Sequence, residues 1–505
     1  MEMPLVAGAM TSEKRKASTN GAPFKKQKFD RKRKQKPAKE GGAEEVLALD
    51  VQDFLVSHKQ FATETSGASS SALPGQFSTI ELKISELSSV GEGLALHDGR
   101  VYVVPFTLPG DRVSAKVIRH TQSHTATDLL SVLRPSADRD DSLVGCKYFN
   151  TCSGCQLQML AYPKQLEHKK RVIERAYAHY SDLPSGKLPP IGETIGSPLQ
   201  YNYRTKLTPH FDGPRKGGFK EGDEPPQIGF NVKGRRQVLD IEDCPIGVAS
   251  VRQGIKSQRQ YVHENLSKYK RGATLLLRES TARTPSDPDD LSKYTEEKLC
   301  ITDSNATSTE YIDSFKFTSP AGAFFQNNNS ILPIFTAYVR DNLSLPISST
   351  STEPPKYLVD AYCGSGLFTV TCGNSVQKAI GVDISTDSIS YASKNAEVNG
   401  ITNAHFIAGT AEQIFADIDF PGAETSCILD PPRKGCDQLF LDQLLDFRPK
   451  RVVYVSCNVH TQARDLDYIL KNERGSKYKI DSIRGFDFFP QTHHVESVAI
   501  LTWVE

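Results

Sequence analysis

The sequence predicts an α/β fold, with a doubly wound, Rossmann-like domain over residues 331–505. Apolar strand patterns alternate there with helix-compatible stretches, and the strands are residues 357–360, 379–383, 427–430 and 452–456. The first two strands end in an acidic residue, and a glycine-containing loop follows the first directly. Short alternating strands separated by Gly, Pro and Asp predict β-rich domains upstream.

The N-terminal residues 1–75 are polar, and we expect a disordered basic tail there, with a short helix over about residues 44–59 left open. Residues 11–40 hold twelve Lys or Arg and three acidic residues, a net charge of +9 in a chain of +1. Such a tail is typical of a nuclear-localisation or nucleic-acid-tethering arm, and equally of a solubilising extension. We expect nuclear or cytoplasmic localisation, with mitochondrial localisation left open.

Residues 76–136 predict a small antiparallel barrel of OB type. Alternating apolar positions run through residues 80–84, 91–95, 100–105 and 111–118, with turn-forming residues between them. Short strands of this kind are typical of OB-like barrels, many of which bind nucleic acid. Fold alone does not establish that function.

Residues 137–330 predict a β-rich central domain with a cysteine cluster. Cys146, Cys152 and Cys155 lie close together in the sequence, and Cys244 follows in the same domain. A close trio with one distant thiol suits a four-thiolate site, for an iron–sulfur cluster or for zinc. Without a secretion signal, the ten cysteines are better explained as thiols or metal ligands than as disulfides.

The polar stretches at about residues 281–310 and 347–355 predict surface loops or insertions. No window approaches eighteen uninterrupted apolar residues, so we expect no membrane span. The N-terminus has no apolar stretch of signal-peptide type, which favours an intracellular protein.

The first loop of the Rossmann-like domain is suited to an adenosyl ligand. Gly364 and Gly366 let the backbone turn tightly beside a ligand, and Asp383 can accept hydrogen bonds from ribose hydroxyls. The spacing fits S-adenosylmethionine as well as a dinucleotide, but the third glycine of a dinucleotide loop is missing at its usual offset. Gln326, upstream of this domain, lies near the cofactor or is a surface amide.

Two later segments favour chemistry at a ring carbon. Asp430 is followed by two stiffening prolines and by Arg433, where enzymes that methylate exocyclic amines carry an aromatic residue. Cys457 ends a strand and can add to C6 of a uracil, which makes C5 able to take a methyl group. Glu496 is the natural base for removing the C5 proton. The alternatives are a buried inert thiol and a solvated carboxylate.

Together these segments resemble the RNA uracil-C5 methyltransferase family. The resemblance covers about residues 77–505 and is carried by residues 325–327, 360–368, 395–400, 430–435, 455–458 and 494–498. It implies a nucleophilic Cys457 and a proton-accepting Glu496. It also implies a class I fold that binds S-adenosyl-L-methionine through Gln326, Tyr362, Asp383 and Asp430.

Other features resemble particular branches of this family. The barrel resembles the TRAM domain of RNA-modifying enzymes, and the cysteines resemble those of iron–sulfur members that methylate ribosomal RNA. This implies a [4Fe–4S] cluster held by Cys146, Cys152, Cys155 and Cys244. The basic tail and the insertions resemble eukaryotic, fungal members, which act on tRNA.

We therefore expect a monomeric tRNA (uracil-5-)-methyltransferase that forms 5-methyluridine, also called ribothymidine, in the T-loop. The alternatives are methylation of uracil in ribosomal RNA and a non-catalytic tRNA-binding or folding factor. The second alternative is disfavoured by the intact Cys457 and Glu496, because a binding protein needs neither residue.

Overall fold

The structure is a computed structural model that describes residues 39–64, 73–214, 217–220, 222–287, 290, 293–344, 355–409, 414–415 and 418–504. Most of the expected basic tail and nearly all of the loop expected at residues 347–355 lie outside these residues. Within the described part of the chain, no helix is long and apolar enough to cross a membrane.

The N-terminal barrel is a mostly antiparallel sheet in the spatial order β1-β5-β6-β4-β3-β2. Its core contains Leu82, Tyr102 and Val113, all of which are buried. The apolar alternation in the sequence therefore predicted its inner face correctly. The strands are β1 (Thr79–Lys83), β2 (Glu86–Leu87), β3 (Glu92–His97), β4 (Arg100–Pro105), β5 (Arg112–His120) and β6 (Thr125–Arg134).

A helix precedes this barrel, α1 (Ala43–Glu64), where the sequence left a short helix open over about residues 44–59. The broader prediction of disorder across residues 1–75 is wrong for this segment. Val51 and Phe54 are buried against apolar side chains of β3 and β4. The Asp50 carboxylate accepts hydrogen bonds from the backbone and hydroxyl of Ser89. These contacts are tertiary, which is why the local composition did not reveal them.

The central region contains small antiparallel sheets in the orders β11-β10-β9-β12, β14-β13-β8 and β15-β16. Its helices are α2 (Tyr162–Tyr180) and α3 (Ala249–Glu264). Its strands are β7 (Ile191–Ile195), β8 (Lys206–Leu207), β9 (His210–Phe211), β10 (Gly229–Asn231), β11 (Val238–Asp240), β12 (Ala273–Thr274), β13 (Leu277–Pro285), β14 (Tyr294–Ile301), β15 (Thr307–Ile312) and β16 (Phe315–Pro320).

Residues 281–310 do not form the continuous surface loop that was one of the two expectations, because β13 and β14 form a long hairpin over part of this segment. The other expectation, an insertion, stays a prediction. Most side chains of the edge strand β14 are exposed, and its four consecutive residues 295–298 are polar. A solvated edge strand has the composition of a loop, so apolar alternation could not reveal it.

The C-terminal domain is built on a large sheet in the order β19-β18-β17-β20-β21-β23-β22-β7. The strands from β19 to β21 are parallel, as the fold class predicts, and β23 is antiparallel to β21. The elements are α4 (Leu332–Ser344), β17 (Tyr357–Ala361), α5 (Leu367–Cys372), β18 (Lys378–Asp383), α6 (Thr386–Val398), β19 (Ala404–Ala408), β20 (Thr425–Leu429), α7 (Gln438–Phe447), β21 (Arg451–Ser456), α8 (Val459–Lys471), β22 (Tyr478–Phe486) and β23 (Glu496–Trp503).

Apolar cores lie on both faces of this sheet. Helices α4, α5 and α6 contribute to one core, and α2, α7 and α8 contribute to the other. Both α2 and β7 come from the region expected to form the central domain. The expected boundary at residue 330 therefore does not separate two structural units, since the last strand of the sheet lies before it in the chain.

Candidate active site

A cavity of about 940 Å³ lies at the carboxyl ends of β17, β18, β20 and β21. Ligands of doubly wound sheets bind at this edge, where the strand order reverses. Because β23 runs antiparallel, its first residue reaches the same edge. The cavity brings together the catalytic and cofactor-binding residues expected from the sequence, which are Gln326, Tyr362, Asp383, Asp430, Cys457 and Glu496.

One half of this cavity is shaped by the loop after β17. The backbone NH of Gly364 donates to Asp383 Oδ2 at 3.0 Å, and that of Ser385 donates to Asp383 Oδ1 at 2.8 Å. Each carboxylate oxygen keeps a lone pair for a ligand hydroxyl. Gly364 has a φ of +54° with no atom near its missing side chain, so the backbone is open to a ligand.

The surroundings of this loop fit S-adenosylmethionine. Phe324 and Ile384 line the cavity with 75% of each residue exposed, and apolar surface of this kind suits an adenine ring. Asp383, Asp430 and Glu496 also line it, and their carboxylates suit a ligand with a sulfonium and an amino group. Sequence reasoning missed Phe324 and Ile384, although the apolar residue directly after Asp383, at a strand end, was a usable signal.

The other half of the cavity holds Cys457, between β21 and α8. Burial, then the carboxylates of Glu496 and Asp430, raise the pKa of Cys457 to about 12, while Arg433 opposes the shift. Burial raises the pKa of Glu496 to about 7, and Arg433 again acts in the opposite direction. Burial and Glu496 raise the pKa of Asp430 well above its usual range. The site therefore brings the acidic groups of Cys457, Glu496 and Asp430 together near the guanidinium of Arg433.

The loop before Glu496 is anchored to distant parts of the chain. Lys169 on α2 forms a fully buried ion pair with Asp487 and donates to the carbonyl of Phe489 at 3.0 Å. The backbone of Gln491 has a φ of +72°, and its carbonyl accepts the backbone NH groups of Gln156 and Leu157. These bonds hold the carboxylate of Glu496 at the sheet edge.

The four cysteines expected to bind metal line a separate cavity of about 340 Å³. Burial, then the neighbouring Cys146, raise the pKa of Cys244 to about 12, so these thiols disfavour one another's ionisation. Their side chains are not positioned to bind a single metal ion, since the described residues contain no group of three or more ligands that could hold one. Arg433 and His494 line this cavity as well.

A third cavity, of about 240 Å³, lies beside Cys457 and is lined partly by residues 39–43. The barrel residues Ser89 and Val90 and the pair His493 and His494 complete much of its wall. Nothing in the local sequence links these segments to Cys457, and sequence reasoning did not find this cavity.

Comparison with known proteins agrees with this geometry. Residues 291–504 match the family described as tRNA (Uracil-5-)-methyltransferase, and residues 76–124 match the TRAM domain. A protein of Schizosaccharomyces pombe named tRNA (uracil(54)-C(5))-methyltransferase is 50% identical over 94% of this chain and 86% of its own length. The chain belongs to the tRNA (uracil-5-)-methyltransferase family.

A second relative in this family, from Saccharomyces cerevisiae, carries the same name and is 43% identical, over 90% of this chain and 80% of its own length. The family inferred from the sequence motifs is therefore confirmed. The fold resembles that of Pyrococcus abyssi tRNA (uracil-54, C5)-methyltransferase in complex with S-adenosyl-L-homocysteine. The TM-score is 0.59 at 22% identity, over 84% of this chain and 100% of that one, and it confirms the predicted fold class.

Proposed function

We propose that this protein methylates carbon 5 of uracil 54 in the T-loop of tRNA and so forms 5-methyluridine, as the names of its fungal relatives indicate. The observation that carries the proposal is the shared cavity of Cys457 and Glu496, which also holds the adenosyl-binding loop. A tRNA-binding factor without catalysis would need no half-buried thiol beside the buried carboxylate of Glu496.

The first chemical step is addition of Cys457 to the uracil ring. The raised pKa keeps the thiol protonated in the free protein. Cys457 is only partly buried, so its proton passes to solvent water as the sulfur attacks, and the Glu496 carboxylate stays ionised for the last step. The sulfur forms a bond to C6, and the electrons of the C5=C6 double bond move to give an enolate. Arg433 stabilises the negative charge of the enolate, because its guanidinium lies close enough to Cys457 to oppose the rise of that thiol's pKa.

Bound S-adenosylmethionine supplies an electrophilic methyl group to C5. Asp383 is placed to accept the ribose hydroxyls, while Asp430 lines the same cavity close enough to Glu496 for the two carboxyl groups to interact. Gln326 and Tyr362 line the same half. Their common task is to fix the direction from which the methyl group meets C5.

The last step belongs to Glu496. Its carboxylate takes the proton from C5, the C5=C6 double bond re-forms, and the bond between C6 and Cys457 breaks. A pKa of about 7 suits this role, because a substantial fraction of the carboxylate is ionised at neutral pH and still accepts a proton readily.

The decisive experiment is nucleoside mass spectrometry on an unmodified tRNA transcript after incubation with the purified protein and methyl-labelled S-adenosylmethionine. We expect one labelled 5-methyluridine, located in the T-loop. A transcript with cytosine at position 54 is the control and should stay unlabelled. Methylation of ribosomal RNA fragments with none of tRNA would contradict the proposal and favour the alternative substrate.

We further propose that Cys146, Cys152, Cys155 and Cys244 hold a [4Fe–4S] cluster. A common cavity among the four thiols supports this, because a cubane needs ligands spread around a larger volume than a single ion requires. Protein purified without oxygen should contain iron and absorb visible light, and both signals should fall in Cys244→Ser. Stoichiometric zinc, or intact protein without iron, would contradict the cluster.

We also propose that the protein acts as a monomer in the nucleus or the cytoplasm. The support for localisation is the excess of Lys and Arg over residues 11–40. Replacing residues 31–34 with alanine should move a fluorescently tagged chain out of the nucleus if this segment is the signal. Sedimentation of the purified protein at its monomer mass would support the monomeric state.

A further inference from the structure

The segment before α1 forms part of the wall around the nucleophile. Residues 39–42, which we call the N-terminal strap, line the third cavity together with Cys457. The large cofactor cavity also reaches Cys457 but is not lined by the strap. Cys457 therefore faces the cofactor on one side and a chamber bounded by the strap on the other.

The strap is bonded directly to the loop that carries the nucleophile. Asn458 Nδ2 donates to the carbonyl of Gly41 at 3.2 Å and to that of Arg433 at 2.9 Å. The side-chain amide of Asn458, the residue after Cys457, thus joins the strap to the loop that follows Asp430. Arg464 adds a second connection, since it donates to Glu40 and to the carbonyl of Lys434.

The strap is fixed at its other end by α1 and α2. The carboxylate of Glu45 accepts the backbone NH of Gly41 and the hydroxyl of Tyr180, each at 2.7 Å. Five residues further along α1, the Asp50 carboxylate accepts hydrogen bonds from Ser89 of the barrel. The strap therefore connects the loop that carries Cys457 to the barrel and to α2, the helix that anchors the loop before Glu496.

Gly41 allows the close approach on which these contacts depend. Its φ is +62°, and a side-chain carbon there would lie 2.9 Å from Asn458 Nδ2 and 3.0 Å from Thr461 Cγ2. Gly99, in the turn between β3 and β4, has a φ of +71° with no atom within 4 Å of that position. An alanine strains the backbone similarly at both sites but displaces Asn458 only at position 41.

We propose that the N-terminal strap is a positioning element of the active site: through Asn458 it fixes Cys457 and Arg433, and it forms one wall of the chamber that receives the target nucleotide. The proposal rests on the proposed function for the identity of that nucleotide. Gly41 and Asn458 act through Cys457 and do not touch the reacting atoms. The cofactor half of the cavity is independent of the strap.

The test compares full-length variants. Gly41→Ala is matched by Gly99→Ala, and Asn458→Asp removes the two amide donors while keeping the Oδ1 acceptor that caps α8 at the NH of His460. In Gly41→Ala and Asn458→Asp we expect kcat to fall by about 10- to 100-fold, since small misplacements of a reacting group are costly. The KM for S-adenosylmethionine should not change, and Gly99→Ala should behave as wild type.

A second readout does not depend on turnover. Iodoacetamide should alkylate Cys457 faster in Gly41→Ala than in Gly99→Ala, measured by peptide mass spectrometry without RNA or cofactor. Equal alkylation rates with an unchanged kcat would overturn the strap proposal, as would equal losses in Gly41→Ala and Gly99→Ala. If the wild type failed to methylate tRNA, the proposed function would fall, and the alkylation rates would still decide the role of the strap.

Discussion

The two sides of Cys457 are built in different ways. The cofactor side consists largely of residues at strand ends of one sheet, so Tyr362, Asp383 and Asp430 are placed by buried backbone pairing. The opposite side is assembled from the strap, the barrel residues Ser89 and Val90 and the loop before Glu496. One side thus depends mainly on the strand ends of one sheet and the other on packing between regions, which makes them separable by mutation.

The largest effect is expected from Cys457→Ala, because this residue is shared by both sides. It should abolish methylation and also the covalent complex with RNA that carries 5-fluorouracil, whose fluorine cannot be removed as a proton. Binding of S-adenosylmethionine, measured by calorimetry, should persist. Near-normal methylation by this variant would refute the covalent mechanism.

The next largest effect is expected from Glu496→Gln. Loss of a general base lowers a rate by about 10²- to 10⁴-fold. Since the thiol is intact, the covalent complex should accumulate on ordinary tRNA and be visible by denaturing electrophoresis. If turnover fell without accumulation, Glu496 would act before or during addition instead of after it.

A smaller effect, confined to the cofactor side, is expected from Asp383→Ala. The loss of hydrogen bonds to a charged group is worth about 1.5–3 kcal/mol, or roughly 10- to 150-fold in affinity for S-adenosylmethionine. The affinity for tRNA should not change, which fluorescence anisotropy can measure. Equal losses for both ligands would mean that the two sides are not separable.

The smallest effect concerns pH. Glu496 accepts a proton only when ionised, so the rate of breakdown of the covalent complex should rise with pH through about 7. Arg433 lowers the pKa of Glu496, and Arg433→Met should therefore move this profile to higher pH. Single-turnover rates between pH 5.5 and 8.5 measure the shift. A profile displaced to lower pH would contradict the electrostatic role of Arg433.

The cofactor side could be predicted from the sequence because buried parallel strands appear as apolar runs, and functional residues lie where those runs end. The side of Cys457 that is lined by the strap could not be predicted in this way. Asn458 and Gly41 are hydrogen-bonded across 417 positions of the chain, and neither residue has a local pattern that indicates the contact. The edge strand β14 was missed for a related reason. Its side chains are mostly exposed to solvent, so its composition resembles that of a loop.

The position of β7 at the end of the large sheet limits how this enzyme can be divided. A fragment starting at residue 331 would keep the catalytic motifs but lose the strand that pairs with β22. It would also lose the α2 side chains Val172 and Ile173 from one core. The family match covers residues 291–504, but this segment shares its sheet with β7 and one of its cores with α2, which both precede it in the chain. Domain exchange among relatives should therefore transfer α2 and β7 together with the catalytic half.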